Sequence, residues 1–192
     1  MKEGLIKDAY EALIKELQTI LTIAYIFSVA IGMLFTYHKY KEFNINIFDY
    51  ADILDFLIAP FSDFAILYFI IGSSVLLGLL ILGDTYSKRN YPRAYSRFNF
   101  GIDKKTWFNK YRFISFVCLF ALYLVLSAQA YGRYYKKQVL ESNPILLRFA
   151  DNETKTGLLV GKTKDVIFLL NGKKISAIPI TSFLKEFELE TE

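Results

Sequence analysis

Three stretches of this chain, residues 17–38, 64–83 and 113–132, contain no Asp, Glu, Lys or Arg. Each is 20 to 22 residues long, and a helix needs about 20 predominantly apolar residues to cross roughly 30 Å of hydrocarbon. Helices in the core of water-soluble proteins rarely run so far without a charge. The three runs are therefore expected to be membrane-spanning helices. The first follows a mixed-charge segment, residues 1–16, and is longer than the about 7–15-residue core of a signal peptide, so a retained anchor is expected. Composition agrees: 54% of residues are hydrophobic, above the about 45–50% of ordinary globular chains.

Charge gives an orientation. Lys and Arg near spans collect on the cytoplasmic side. Residues 84–112 carry eight of them (Lys88, Arg89, Arg93, Arg97, Lys104, Lys105, Lys110 and Arg112), and the N-terminal tail adds Lys2, Lys7 and Lys15. Residues 39–63 carry only Lys39 and Lys41, against Glu42, Asp49, Asp52, Asp55 and Asp63. A cytoplasmic N-terminus and second loop place eleven cations inside and five outside, the latter including Arg133, Lys136 and Lys137, which dissent. The C-terminal part is then extracytoplasmic. Usage rich in Lys, Ile, Asn and Phe suggests a bacterial source, and hence a multi-pass protein of the inner membrane.

Within the spans, Ala24, Ser28 and Gly32 recur every four residues, and Ser74 and Gly78 repeat the spacing. Small residues in this pattern let helix backbones approach closely. They are candidates for packing between chains, in a homo-oligomer, or within one. In the first loop, Ile47, Tyr50, Ala51, Leu54, Ile58 and Phe61 follow helical spacing opposite Asp49, Asp52 and Asp55. An interfacial helix over 45–61 is expected, ended by Pro60, with the three carboxylates forming an acidic vestibule. The second loop interleaves its cations with Tyr and Phe, and carries the one tryptophan, Trp107. Lys88, Arg89, Arg93, Arg97, Lys104, Lys105 and Trp107 are candidates for contact with the lipid bilayer or a protein partner. The composition also occurs in nucleic-acid sites, but beside a membrane lipid contact is the simpler reading, and no nucleic-acid partner is expected.

From Pro144 the pattern changes. Short β-favouring runs at 145–149, 157–160, 166–170, 175–180 and 183–189 are separated by turn signals at Asp151-Asn152, Gly161-Lys162 and Asn171-Gly172. Asn-Gly between apolar runs marks a hairpin. The chain is expected to divide into a transmembrane helical domain, 1–137, and a small soluble β domain, 138–192, of four or five antiparallel strands in a curled sheet or small barrel. So small a core is marginal alone, and the single cysteine, Cys118, leaves no internal disulfide. Burial against the membrane part, a second subunit or a partner is expected to supply the rest.

Chemical motifs are sparse. Gly157, Gly161, Lys162 and Thr163 resemble a phosphate-binding loop, but the glycines are one residue too close and a strand, not a helix, should follow. His38 is the only histidine, so a metal site lacks ligands. The carboxylates of 49–55 lack the glycine-containing loop of calcium sites. Apart from His38 at the edge of the first run, the spans carry no ionisable residue of the kind proton relays use. Asn152-Glu153-Thr154 matches a glycosylation signal, which a tripeptide does often by chance. The expectation is a non-enzymatic membrane subunit, with no metal or cofactor. It would oligomerise and bind a partner, or sense or assemble at the cell envelope, with a defence or immunity role among the options. The alternative is a small oligomeric cation channel with the acidic loop at its outer mouth.

Overall fold

The computed structural model describes the backbone of residues 2–149, 152–180 and 184–188, and side chains over 16–149 and 152–180. Three long helices dominate: α1 (Lys2–Lys41), α3 (Phe64–Asn90) and α5 (Phe108–Glu141). Each contains a segment long and apolar enough to cross a membrane: Glu16–Lys41, Phe64–Asn90 and Phe108–Glu141. Only 22% of the most apolar stretch of the first, and 11% of that of each of the others, is buried inside the protein. A water-soluble bundle would turn these side chains inward; here Leu21, Ile26, Tyr68, Leu79 and Leu122 face out. The fold is that of a membrane protein with three spans. Side chains of the mixed-charge segment up to residue 15 lie outside the described residues.

The first loop departs from one continuous helix over 45–61. A 3₁₀ turn (Ile47–Asp49) precedes α2 (Ile53–Ser62). The break falls at Asp52, which is extended and caps α2. Its carboxylate accepts the Ile53 N–H at 2.6 Å, and the Asp55 carboxylate accepts the Asp52 N–H at 2.9 Å. This reciprocal cap satisfies N–H groups that a helix start leaves unpaired. Pro60 does not end α2 but sits inside it. Being near the C-terminal end, it costs one helical hydrogen bond, to the Phe56 carbonyl. Asp63 then caps α3, accepting the Ala65 N–H at 3.0 Å. α2 lies across α1: the Ser28 hydroxyl donates to the Leu57 carbonyl at 3.3 Å, while Ile53, Leu54, Ile58 and Phe61 face outward. This is the interfacial helix.

A short helix, α4 (Pro92–Phe98), follows α3, with Pro92 in its first turn, where the missing N–H is no loss. α5 runs past the expected division at residue 137, to Glu141. Five antiparallel strands follow: β1 (Ile145–Phe149), β2 (Thr154–Lys162), β3 (Val166–Asn171), β4 (Lys174–Pro179) and β5 (Leu184–Glu188). Their order is β4-β3-β2-β1-β5, an open sheet rather than a barrel among the described residues. Pro179 ends edge strand β4, as a residue without a ladder donor should. Asp151, Phe183 and Leu189, expected in a turn and a strand, lie outside the described residues.

Two turns differ from expectation. Gly161-Lys162 is not a turn: β2 continues through it with a bulge, and the chain reverses at 163–165, where the Val166 N–H donates to the Thr163 hydroxyl at 3.1 Å. The hairpin at Asn171-Gly172 exists, but Asn171 pairs with Lys174, so the two-residue loop is Gly172 and Lys173. Only Gly172 has positive φ, +59°, which is the II′ pattern with glycine first.

The core has three centres. One lies among the spans around Phe35, Ala128 and Tyr131. Another belongs to the sheet, with Leu147, Ile167 and Leu169. The third joins the two: Tyr40, Phe43 and Val139 of the helices pack with Val160 and Phe168 of the sheet. Consecutive residues 167–169 are thus buried on both faces of β3. The membrane part supplies the burial that the small sheet lacks.

Candidate functional site

Polar and aromatic side chains concentrate at both ends of the helices, and the two ends are built differently. At the sheet end the backbones touch. Gly32 of α1 faces the Phe56 carbonyl, and any side chain there would collide with it. This is the carbonyl that Pro60 leaves without a helical donor. A Cβ on Gly132 of α5 would lie 2.5 Å from the His38 carbonyl of α1. Gly161 on β2, with φ +155°, gives way to the Tyr40 hydroxyl. Tyr40 reaches the Lys162 carbonyl at 3.5 Å, and Tyr135 donates to the Val160 carbonyl at 3.0 Å. The residues that mimic a phosphate loop therefore form the seam between sheet and helices.

Beneath this seam lies a charged group. Tyr131 donates a short hydrogen bond to Asp63, whose other oxygen caps α3. Lys39, over the face of Tyr135 at 3.9 Å, feels the Asp63 carboxylate. Lys136 donates to the Glu42 carbonyl at 2.7 Å. A cavity of about 180 Å³ borders Lys39, Tyr40, Asp55 and Lys162. Tyr131 and Asp63 satisfy each other, Lys39 lies against the Tyr135 ring within the field of that carboxylate, and Tyr135 bonds the sheet, so the group ties α1, α3, α5 and β2. This is a latch rather than a set of free reactive groups.

The opposite end is open. Asp84, near the end of α3, forms an ion pair with Arg112 of α5, whose Nε donates to it at 3.0 Å. Tyr95 of α4 donates to the same carboxylate at 3.2 Å. The Arg112 guanidinium sits 5.3–5.9 Å from the rings of Tyr95, Phe108 and Phe116. Burial, and then the Asp103 carboxylate, hold the Tyr95 phenol above its ordinary pKa, so it stays a donor. Beside this group is a cavity of about 640 Å³ between α3, α4 and α5. Leu79, Leu80, Phe116 and Leu119 form its apolar part; Ser87, Tyr91 and Tyr95 border its polar part.

Of the sequence-derived candidates, Ser28 and Gly32 contact α2 of the same chain. Ala24 and Ser74 are exposed, and Gly78 has nothing within 4 Å of its Cβ position. The α3 residue that packs inward is Ser73, whose hydroxyl meets that of Ser127 at 3.1 Å. Asp52 and Asp55 cap α2, and Asp49 is exposed. Lys88, Arg89, Arg93, Arg97, Lys104, Lys105 and Trp107 are all exposed on the basic loop, and Lys105 lies 5.7 Å from the Trp107 ring centroid. Sequence reading missed Asp84, Arg112, Tyr95, Asp63 and Tyr131. The available signal was position: Asp84 immediately follows one chargeless run and Arg112 immediately precedes the next. Among the described residues no cluster of three metal-ligating side chains occurs.

No protein family, no curated protein and no solved structure matches this chain.

Proposed function

We propose that this chain is a non-enzymatic membrane subunit that holds its β-sheet domain rigidly at the membrane surface as a docking element for a protein partner. The observation that carries this reading is the seam. Tyr40, Tyr135, Gly161 and the Phe168 core join sheet and helix ends with hydrogen bonds and packing, an investment that a loosely tethered domain would not need. Edge strand β4 leaves Ser176 and Ala177, which point to opposite faces, both exposed. An open edge of this kind suits strand addition by a partner. Ala24, Ser74 and Gly78, unused inside the chain, are the positions for self-association. The charge asymmetry favours a cytoplasmic N-terminus and basic loop with the sheet outside, and the reading takes the membrane to be the inner membrane of a bacterium. Roles in envelope sensing, assembly or defence fit this arrangement.

Two measurements test it. With Lys173→Cys, an impermeant thiol reagent should label intact cells; with Thr106→Cys, it should label only opened ones. The reverse pattern inverts the orientation. A photo-crosslinker at Ser176 should yield a discrete adduct in living cells that a crosslinker at outward-facing Leu122 does not. Absence of any adduct specific to β4 rejects the docking role.

A further inference from the structure

We infer that the cavity between α3, α4 and α5 is a site for one anionic phospholipid, with an acyl chain in the cavity and the phosphate on the cations beside it. The inference rests on the membrane reading of the helices, and not on a partner for the sheet.

The cavity measures about 640 Å³, within the about 300–1,000 Å³ of small-ligand sites. Its apolar wall comes from the chargeless runs: Leu79 and Leu80 from the second, Phe116 and Leu119 from the third. Hydrocarbon at that depth has one abundant source, the surrounding leaflet. Water among these side chains would find few partners. Gly83 also lines the space, and nothing lies within 4 Å of its Cβ position. α3 thus presents a bare strip of backbone along which a chain can lie.

The polar border selects the headgroup. Asp84 and Arg112 neutralise each other. Lys88, Arg89 and Arg93 do not line the cavity; they are exposed one or two residues along the chain from the lining residues Ser87, Tyr91 and Ala94, within reach of a headgroup at its mouth only through their long side chains. Residues 84–112 carry eight cations against two carboxylates, Asp84 and Asp103. A zwitterionic headgroup would leave that excess uncompensated; an anionic one complements it. Ser87 and Tyr91 at the border carry hydroxyls that can donate to phosphate oxygens.

The full chain, purified in mild detergent, is titrated with phosphatidylglycerol or with phosphatidylcholine of identical chains, and retained lipid is read by native mass spectrometry. One phosphatidylglycerol per chain should be retained, about fivefold or more tighter than phosphatidylcholine, the ratio expected from about one effective cation contact at an anionic surface. Gly83→Leu projects a side chain into the cavity from a position whose Cβ meets no protein atom, and should abolish retention. Gly72→Leu, at an equally open glycine of α3 away from the cavity, should leave it intact. Replacing Lys88, Arg89 and Arg93 together by Gln should remove the preference between the two lipids. Equal retention of both lipids by the unaltered chain, or unchanged retention in Gly83→Leu, overturns the site. A chain that stays in solution after detergent removal overturns the membrane reading itself. A detergent-dependent chain that holds no lipid overturns this inference alone.

Discussion

The two ends of the helices contain similar ingredients and use them differently. Each has an acid paired with a cation or a tyrosine, several aromatic rings, and glycines nearby. At the sheet end, a Cβ added at Gly32 or Gly132 would strike a backbone carbonyl, and one added at Gly161 would strike the Tyr40 hydroxyl. At the basic end and along α3, Gly72, Gly78 and Gly83 have nothing within 4 Å. The same residue type thus marks close packing in one region and empty space in the other. What differs is the supply of neighbours. The sheet end receives α2 and the β strands, which press backbone against backbone. The basic end receives the seven-residue α4 and a single 3₁₀ turn (Ile102–Lys104), too little to fill the gap between α3 and α5. One end is built as a joint and the other as a socket.

The sharpest way to break this contrast is Gly32→Ala. An added methyl must displace the Phe56 carbonyl and, with it, α2. Overpacking of this kind costs about 3 kcal/mol. The melting point in detergent should fall by several degrees, read through the single tryptophan, Trp107. A variant as stable as the unaltered chain would mean that α2 is not held against α1. Next in size is Tyr131→Phe, which removes the donor to Asp63. Hydrogen bonds to charged groups contribute about 1.5–3 kcal/mol, so a loss near 2 kcal/mol is expected in the same melt. A loss below about 0.5 kcal/mol would show that the latch is ornamental to stability.

At the basic end the matching change is Asp84→Asn. Severing a fully buried ion pair costs about 3–5 kcal/mol, but the Arg112 side chain is 30% exposed and Asp84 14%. Solvent screening lowers the expected loss to about 1–2 kcal/mol. A double-mutant cycle with Arg112→Gln should return most of that as coupling. Coupling near zero would remove the pair as the element closing the socket. Smaller again is Asp52→Ala. Loss of an N-cap costs about 1 kcal/mol, and here it frees the start of α2. Amide exchange should rise at Ile53 and Leu54 before anywhere else in the chain; uniform exchange would contradict a local role for the cap.

How much of this was readable in advance follows from the range of each interaction. The spans are set by exclusion of charge, a property of twenty consecutive residues, and all three were legible. So were the strands, since alternating apolar runs and turn residues are also local. The acids were not. Asp63 meets Tyr131 across 68 residues of chain, and Asp84 meets Arg112 across 28, distances over which one sequence carries no pairing signal. Asp52 and Asp55 were read by their charge, whereas their spacing of three is also that of a reciprocal helix cap. Gly32 was recognised as a point of close helix approach, but its neighbour was hidden. Only the fold reveals that α2 turns back onto α1, with Pro60 leaving the Phe56 carbonyl free to be approached.

The smallest expected effect is also the one that tests the comparison by sign. Gly83→Ala makes on α3 the substitution that Gly32→Ala makes on α1. At position 83 the new methyl meets no atom, so only helix propensity changes, and Ala exceeds Gly by up to about 1 kcal/mol in a helix interior. Partial exposure near the helix end reduces this, and a gain of about 0.5 kcal/mol is expected. The melting point should rise slightly, while the same change at position 32 lowers it. If Gly83→Ala instead destabilises the chain by 1 kcal/mol or more, the strip of α3 taken as empty is in contact with something tightly packed. The basic end would then be a joint as well, and the difference between the two ends would disappear.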